Sequence, residues 1–287
     1  MSDLDFSIVI PAKNEGANLK TLLPEICSLY PETEVIVVDD GSTDDTVAIC
    51  TEAGVKVISH KYSRGNGASI KTGARQADSE IILFMDGDGQ HKPEDISRLL
   101  SEYAKGMDMV VGARDRKSQA SLGRLFANSI YNKLASWISG YQIRDLTSGF
   151  RIVNREKFLN FLYLLPNGFS YPTTSTMAFC RAGYSLDYIP IETGSRLGKS
   201  HINLLKDGIR FFIIIFKIGT LFSPLKIFLP ISFLFFITGI FYYLYTYMTE
   251  HSFTNMGVLL FIASIFVFLI GLISEQITAL IYKDTTD

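Results

Sequence analysis

Short apolar runs alternate with amphipathic stretches along the first two thirds of the chain. Phe6–Ile10 reads as an apolar strand, and Ala17–Leu29 places Leu19, Leu22, Leu23 and Ile26 at helical spacing. Glu34–Val38 is a second strand running into Asp39-Asp40-Gly41-Ser42. Asp44–Ala53 follows as a helix, with Thr43 or Asp44 as its N-cap. Strand Val55–Ser59, helix Gly67–Ala77 and strand Glu80–Met85 come next. A helix from Pro93 to Lys105 carries proline in its first turn, and Asp108–Gly112 is a further strand. Gln119–Ser139 is helical, Asp145–Arg151 breaks the regularity, and helices at Arg155–Tyr163 and Thr174–Ala182 lead to strand Leu186–Ile191. Strands that are apolar throughout are buried on both faces. The pattern therefore predicts an α/β fold whose mainly parallel sheet is covered on both sides.

The pattern changes towards the C-terminus, where charges become sparse from Phe211 onward. Pro224–Met248 and Met256–Ile281 each exceed the roughly 20 apolar residues that a helix needs to cross a bilayer. Thr249–Asn255 is short enough for a hairpin turn. Ile202–Gly219 mixes Lys206, Arg210 and Lys217 with Phe and Ile, as an amphipathic helix lying in the interface would. Lys217, Lys226 and Lys283 flank the two spans, whereas the turn carries Glu250 and His251 and no Lys or Arg. The positive-inside rule places both ends in the cytoplasm, and Tyr242, Tyr243, Tyr245 and Tyr247 form an aromatic belt near the outer end. Glu275 either snorkels to the interface or has a function; both readings stay open.

Composition narrows the field. The 27 Lys+Arg balance 29 Asp+Glu, so nothing points to nucleic acid as a partner. Cys27, Cys50 and Cys180 are scattered without a CxxC pair, which speaks for reduced thiols and against a disulfide framework or zinc site. Met1–Asp5 lacks the basic segment of a signal peptide, so the N-terminal part is expected in the cytosol. Pro11-Ala12-Lys13-Asn14-Glu15 stands where a dinucleotide fold has GxGxxG, and there is no Walker A sequence.

The chemistry concentrates in Asp86-Gly87-Asp88-Gly89-Gln90, at the end of the apolar run Ile81–Met85. Two carboxylates spaced i, i+2 at the mouth of a buried strand suit a hard divalent cation that keeps positions open for phosphate oxygens. An EF-hand count fails, because position 6 is His91 and position 12 is Ser97. An ordinary Asp/Gly turn is the remaining alternative. Arg64-Gly65-Asn66-Gly67 opens a helix and would turn backbone N–H groups towards an anion, or is simply a glycine turn. His91 reads as structural.

Three motifs then occur in order: Ser7-Ile-Val-Ile-Pro-Ala-Lys-Asn-Glu15, Val37-Val-Asp-Asp-Gly-Ser-Thr-Asp44 and Asp86-Gly-Asp-Gly-Gln-His91. Together they resemble the GT-A glycosyltransferases of family 2. Thr147-Ser-Gly-Phe-Arg151, Arg196-Leu-Gly-Lys-Ser200 and the two spans narrow the resemblance to the polyprenyl-phosphate branch, the group of dolichol-phosphate mannose synthase and the bactoprenol glucosyltransferases. The resemblance implies a Rossmann-like GT-A catalytic domain over residues 1–200, a juxtamembrane amphipathic helix over 201–223, and a two-helix hairpin with a short tail over 224–287. It implies an integral protein of the plasma (inner) membrane with its catalytic domain in the cytoplasm.

The implied reaction is a metal-dependent, inverting hexose transfer from a nucleotide diphosphate sugar to a polyprenyl phosphate. A UDP-sugar is favoured, with GDP-mannose as the other donor. Mg2+ or Mn2+ would sit on Asp88 with Asp86 and Gln90, beside Gly87. Pro11, Ala12, Asn14 and Glu15 with Asp39 and Asp40 would hold base and ribose, although the two aspartates also suit a helix cap. Arg114, Arg196 and Lys199 are the expected cations for the two phosphates, with Arg124 and Arg151 as further candidates and Arg64, Gly67, Ser148 and Ser200 as contacts. Asp145 orients the acceptor side or a basic residue, or forms a structural salt bridge. A lipid phosphate, largely ionised with a second pKa of about 6, needs no general base. Membrane lipids are expected partners, and the spans offer a surface for a homo-oligomer. Two alternatives are a glycolipid synthase with a lipid hydroxyl acceptor and a catalytically silent nucleotide-sugar-binding scaffold subunit.

Overall fold

The computed structural model describes residues 4–114, 122–168, 170–193, 216–217, 219–252 and 254–283, with backbone alone at 122–128 and 250. The expected helix over Ile202–Gly219 falls almost wholly outside the described residues. Two compact units divide the chain between Ser200 and His201, with residues 138–140 grouped with the second.

The first unit is built on a sheet that has seven strands among the described residues. They are β1 (Phe6–Ala12), β2 (Glu34–Asp39), β3 (Lys56–Ser59), β4 (Ile81–Phe84), β5 (Met109–Arg114), β6 (Arg151–Asn154) and β7 (Leu186–Ile191). Their spatial order is β3-β2-β1-β4-β6-β5-β7. Every neighbouring pair is parallel except the two that involve β6, which runs antiparallel to β4 and β5. The expectation of a mainly parallel, helix-covered sheet is borne out. Strand β6 is an addition: Arg-Ile-Val-Asn is too short, and too polar at its ends, to register as a strand in the sequence pattern.

The helices are α1 (Gly16–Leu29), α2 (Thr46–Glu52), α3 (Asn66–Gln76), α4 (Asp95–Tyr103), α5 (Leu122–Ser139), α6 (Arg155–Leu159) and α7 (Tyr171–Arg181). The side-chain alternation of β1 explains how both faces of the sheet are covered. Phe6, Ile8, Ile10 and Ala12 join the core containing Leu19, Leu22, Leu23 and Ile26 of α1 and Ile96 and Leu99 of α4. Val9 points the other way, towards Gly73 of α3. A fully buried side chain such as Leu23 contributes about 1.5–3 kcal/mol through the apolar area it removes from water. Helix α6 stops at Leu159, short of the expected Tyr163, because the chain tightens into turns such as Phe161 N–H to Phe158 O at 3.1 Å.

Register decides what the sheet presents at its rim. Ala12 pairs with Asp39, and Asp39 with Ser59, so the loops after β1, β2 and β3 leave from one edge. Phe84 pairs with Val9, which brings Asp86 to the same edge. Arg151 pairs with both Phe84 and Val111. The antiparallel entry of β6 thus delivers the preceding segment, Asp145–Phe150, to the rim where β4 and β5 end. Ligands of such sheets bind at this carboxyl edge.

In the second unit, helices α8 (Pro224–Glu250) and α9 (Asn255–Ile281) are each long and apolar enough to cross a membrane. Small residues recur every seven positions on both: Ser232, Gly239 and Thr246 on α8, and Gly257, Ser264, Gly271 and Thr278 on α9. All seven are buried in the seam between the helices, as a heptad repeat dictates. Ser232 Oγ donates to Ser264 O and Ser264 Oγ to Ser232 O, both at 2.9 Å. Glu275 Oε2 accepts the Leu225 N–H at 3.2 Å, satisfying one of the orphan donors at the start of α8. Phe233, Leu234, Phe241, Phe266 and Ile273 face outwards.

Candidate active site

The loops after β1 and β2 are stitched together. The Asn14 N–H donates to Ser42 Oγ at 2.8 Å, and Asn14 Oδ1 accepts the Thr43 N–H at 2.8 Å. Asp44 accepts N–H groups from Gly16 and Thr46, so one carboxylate serves the start of both α1 and α2. The expected Asp44 contribution to helix capping takes this form, although the α2 N-cap position itself is Asp45. Pro11 and Ala12 are buried at the end of β1. Asp39 is also buried, and its Oδ1 accepts the Ser42 N–H at 2.9 Å.

Asp40 behaves differently from its neighbour. Oδ1 takes His60 Nδ1 at 2.8 Å and the Arg64 N–H at 2.7 Å, while Oδ2 takes Ser63 Oγ at 2.7 Å and the Gly65 N–H at 2.8 Å. Four bonds fill the acceptor sites of a carboxylate. Gly65, at φ +100°, supplies the backbone turn, and the Ala68 N–H of the first turn of α3 reaches Asn167 O at 3.1 Å. Two expectations are corrected here. In this structure Asp40 is spent on its own chain, with its acceptor sites filled and none left for base or ribose, and the Arg64 and Gly65 N–H groups face Asp40 instead of a ligand anion. Gly67 packs against the carbonyls of Pro166 and Gly168.

Burial opposes ionisation of Asp40, but the bonds from His60, Arg64, Ser63 and Gly65 outweigh it and lower its pKa from 3.8 to about 2. A depressed carboxyl stabilises the fold above its unfolded pKa, and that contribution disappears as pH falls through the folded value. The difference amounts to about 2 kcal/mol at neutral pH. Asp40→Asn is expected to destabilise the protein by this order at pH 7 and hardly at all near pH 2. Urea denaturation of both proteins across that range checks it; an equal penalty at both ends contradicts the assignment.

Asp86 and Asp88 sit just beyond β4, both half-buried, with buried Gly87 between them. Asp88 Oδ1 accepts the Gln90 N–H at 3.2 Å, which closes the turn. His91 is buried, stacks on Phe150 with ring centroids 4.8 Å apart, and points Nε2 to within 3.8 Å of Asp86 Oδ2. Burial disfavours the Asp86 anion, yet His91, a hydrogen bond from Asn66 and the Arg114 charge together hold its carboxyl below the usual range. Asp86 is therefore anionic at neutral pH. Among the described residues no three His, Cys, Asp or Glu side chains converge into a closed metal cage. Two oxygen-donating carboxylates in an open setting fit Mg2+ or Mn2+, which completes its shell with phosphate oxygens and water.

On the far side of the rim, Arg114 at the end of β5 makes a two-pronged bond to Asp145: Nε to Oδ2 at 2.8 Å and Nη2 to Oδ1 at 3.0 Å. Nη2 also reaches Thr147 Oγ1 at 2.5 Å. Burial works against both charges, but their attraction lowers the Asp145 pKa and raises that of Arg114. Of the readings open for Asp145, orientation of a basic residue and a structural salt bridge both match this pair. Arg144, exposed beside it, was not among the sequence candidates. Asn66 and Gly149 were also missed; their only signal was a position in motifs whose other members drew attention.

Further candidates fare unevenly. Arg151 is fully buried with its donors turned inwards, so its assignment to a ligand phosphate is corrected. The Ser148 hydroxyl is buried too and cannot meet a ligand in this arrangement. Glu15 starts α1 and accepts from Asn18 Nδ2 at 2.6 Å. Arg124 lies on α5, its side chain outside the described residues, as are Arg196, Lys199 and Ser200 altogether.

A mainly parallel sheet with an Asp-Gly-Asp turn at its carboxyl edge matches the GT-A fold, and known proteins agree. Residues 7–161, more than half of the chain, match the model of Glycosyl transferase family 2, and residues 223–280 match the GtrB C-terminal hairpin. The chain belongs to glycosyl transferase family 2 and is a glycosyltransferase. It is 28% identical over 243 residues to glycosyltransferase AglJ of Haloferax volcanii, covering 81% of this chain and 78% of that one. The polyprenol monophosphomannose synthase of Mycolicibacterium smegmatis is 28% identical over 212 residues, 68% of this chain and 80% of its own. The undecaprenyl-phosphate 4-deoxy-4-formamido-L-arabinose transferase of Proteus mirabilis is 33% identical over 160 residues, which span 52% of this chain and about half (49%) of that enzyme. Glucosyl-3-phosphoglycerate synthase from Mycobacterium tuberculosis, solved with Mn2+, UDP and phosphoglyceric acid, aligns with a TM-score of 0.58 at 20% identity. That alignment covers 75% of this chain and 79% of the other, and it establishes the shared GT-A fold.

Proposed function

We propose that this glycosyltransferase moves a hexose from a nucleotide diphosphate sugar to a polyprenyl phosphate at the cytoplasmic face of a membrane, with inversion at the anomeric carbon. One observation carries the reading. The carboxylates of Asp86 and Asp88 and the Arg114–Asp145 pair meet at one rim of the sheet, and a membrane-length hairpin follows in the same chain. Such a rim can receive a diphosphate on its acidic side and steer an anionic acceptor on its basic side.

In the transfer, a phosphate oxygen of the lipid attacks the anomeric carbon, the bond to the donor diphosphate breaks, and the nucleoside diphosphate leaves with the electron pair. Asp86 and Asp88 would hold Mg2+ or Mn2+, which would supply positive charge to offset what grows on the departing diphosphate. Asp39, next to the ends of β1 and β3, is positioned to accept from base or ribose. Arg114 is held rigid by Asp145 and, with Arg144, offers positive charge to the incoming phosphate. The acceptor arrives already ionised, so the site requires guidance and not deprotonation. Lys226 and Lys283 at the ends of the hairpin, against Glu250 and His251 at its turn, support the orientation.

The test is to incubate purified full-length protein with Mn2+, undecaprenyl phosphate and separately labelled UDP- and GDP-sugars, then to extract with organic solvent. Label is expected in the organic phase only when the lipid phosphate is present. Transfer to diacylglycerol instead, or no transfer from any donor, overturns the reading.

A further inference from the structure

Arg151 is the bulkiest fully buried side chain among the described residues, and the oxygen atoms that accept its hydrogen bonds are all neutral. Nη1 donates to Pro172 O at 2.9 Å, Ser175 Oγ at 2.8 Å and Thr176 Oγ1 at 3.0 Å, while Nη2 donates to Ser148 O. Nε has no hydrogen-bond partner among the described residues. Burying a guanidinium costs several kcal/mol, and apolar residues of similar volume would join a strand to a helix at less expense. Something other than general stability has to account for this placement.

What Arg151 grips supplies the answer. Through Ser148 O it ties the segment 147–150 to the first turns of α7. Tyr171, whose ring centroid lies 5.9 Å from the Arg151 guanidinium carbon, donates its hydroxyl to Gly149 O at 3.3 Å. Two side chains thus hold consecutive carbonyls from the core side. On the opposite side Gly149 lies directly against Asp86: a Cβ built there would stand 2.7 Å from Asp86 Oδ2. Phe150, the next residue, stacks on His91, which approaches the same carboxylate oxygen. Gly149 and the Phe150–His91 stack therefore confine the Asp86 carboxylate, and Arg151 and Tyr171 fix the segment that does so.

We propose that Arg151, assisted by Tyr171, is a positioning residue for the reaction: it locks residues 147–150 from within and so sets the orientation of Asp86 towards the metal-bound diphosphate. This rests on the reading of Asp86 as a metal and diphosphate ligand. Its effect reaches the substrate only through Asp86, so it should appear in metal-dependent binding and not in the metal-independent part.

The experiment titrates UDP and GDP into the full-length protein by calorimetry, with and without Mn2+, for wild type, Arg151→Met, Arg151→Lys and Tyr171→Phe. Arg151→Met is expected to weaken Mn2+-dependent nucleotide binding at least about tenfold, in line with losses seen when outer-shell support of a metal ligand is removed. Arg151→Lys should recover part of that loss and Tyr171→Phe should show a smaller one, with metal-free binding unchanged in all. Should Arg151→Met fail to fold, Tyr171→Phe decides, because it removes one hydroxyl and keeps the ring. Unchanged Mn2+-dependent affinity in the folded variants overturns the positioning role. Wild-type protein that binds neither nucleotide more tightly with Mn2+ overturns the underlying reading of Asp86 itself.

Discussion

Asp88→Ala is expected to reduce transfer of labelled sugar to undecaprenyl phosphate by at least about a hundredfold, the scale of losing one preorganised contact to developing charge. Asp88 is half-buried in a turn, where its Oδ1 accepts the Gln90 N–H at 3.2 Å. Truncating a partly exposed turn side chain should leave the variant folded, with its thermal midpoint little moved. Asp88→Asn should be nearly as inactive, because an amide keeps the shape and removes the charge. Parallel assays of transfer, circular dichroism and thermal unfolding separate chemistry from folding. Full activity in a folded Asp88→Ala protein removes the acidic pair from the mechanism.

Asp145→Ala should produce the largest combined effect on stability and turnover. It leaves Arg114, only 28% exposed, without the carboxylate that holds it, and breaking one side of a buried pair typically costs about 3–5 kcal/mol. Partial exposure of Arg114 places the expected loss at or below the lower end of that range. Transfer should fall more than tenfold, chiefly through kcat/KM for the lipid phosphate, because a released guanidinium no longer waits at the rim. Arg114→Ala alone should impair transfer to a similar extent. The double variant should recover part of the stability lost in Asp145→Ala, since no unpaired charge then remains. A thermodynamic cycle with denaturant unfolding measures the coupling; strictly additive penalties would show that the pair is not the unit described here.

Much of the molecule is legible in the chain. Short apolar runs bounded by turn residues, such as Ile81–Phe84, read as strands buried on both faces, and the spacing of Leu19, Leu22, Leu23 and Ile26 fixes a helix and its buried side. Both membrane-length helices begin or end within two residues of where their apolar segments do. The Asp-Gly-Asp turn after β4 was visible because burial of the strand leaves its carboxylates nowhere else to emerge. Strand β6 was not visible: four residues with Arg and Asn at the ends carry too little periodicity, and neighbours far away in sequence decide that they pair.

Sequence by itself determined the composition of this protein: an α/β domain with acidic residues at strand ends, then two helices long enough for a bilayer, because periodicity and hydrophobic length are local properties. Only the tertiary structure decided which charged groups are consumed by the chain's own hydrogen bonds. Asp39 and Asp40 are adjacent, chemically identical and both buried, yet one accepts the Ser42 N–H while the other is saturated by His60, Ser63, Arg64 and Gly65. Arg114 and Arg151 are both candidates for a phosphate in the sequence, Arg151 the lesser, yet one is held at the edge by Asp145 and the other is fully buried. A hydrogen bond is satisfied by whichever donor the fold brings near, and that proximity depends on strand register and on the antiparallel entry of β6, which are set by packing across the whole sheet.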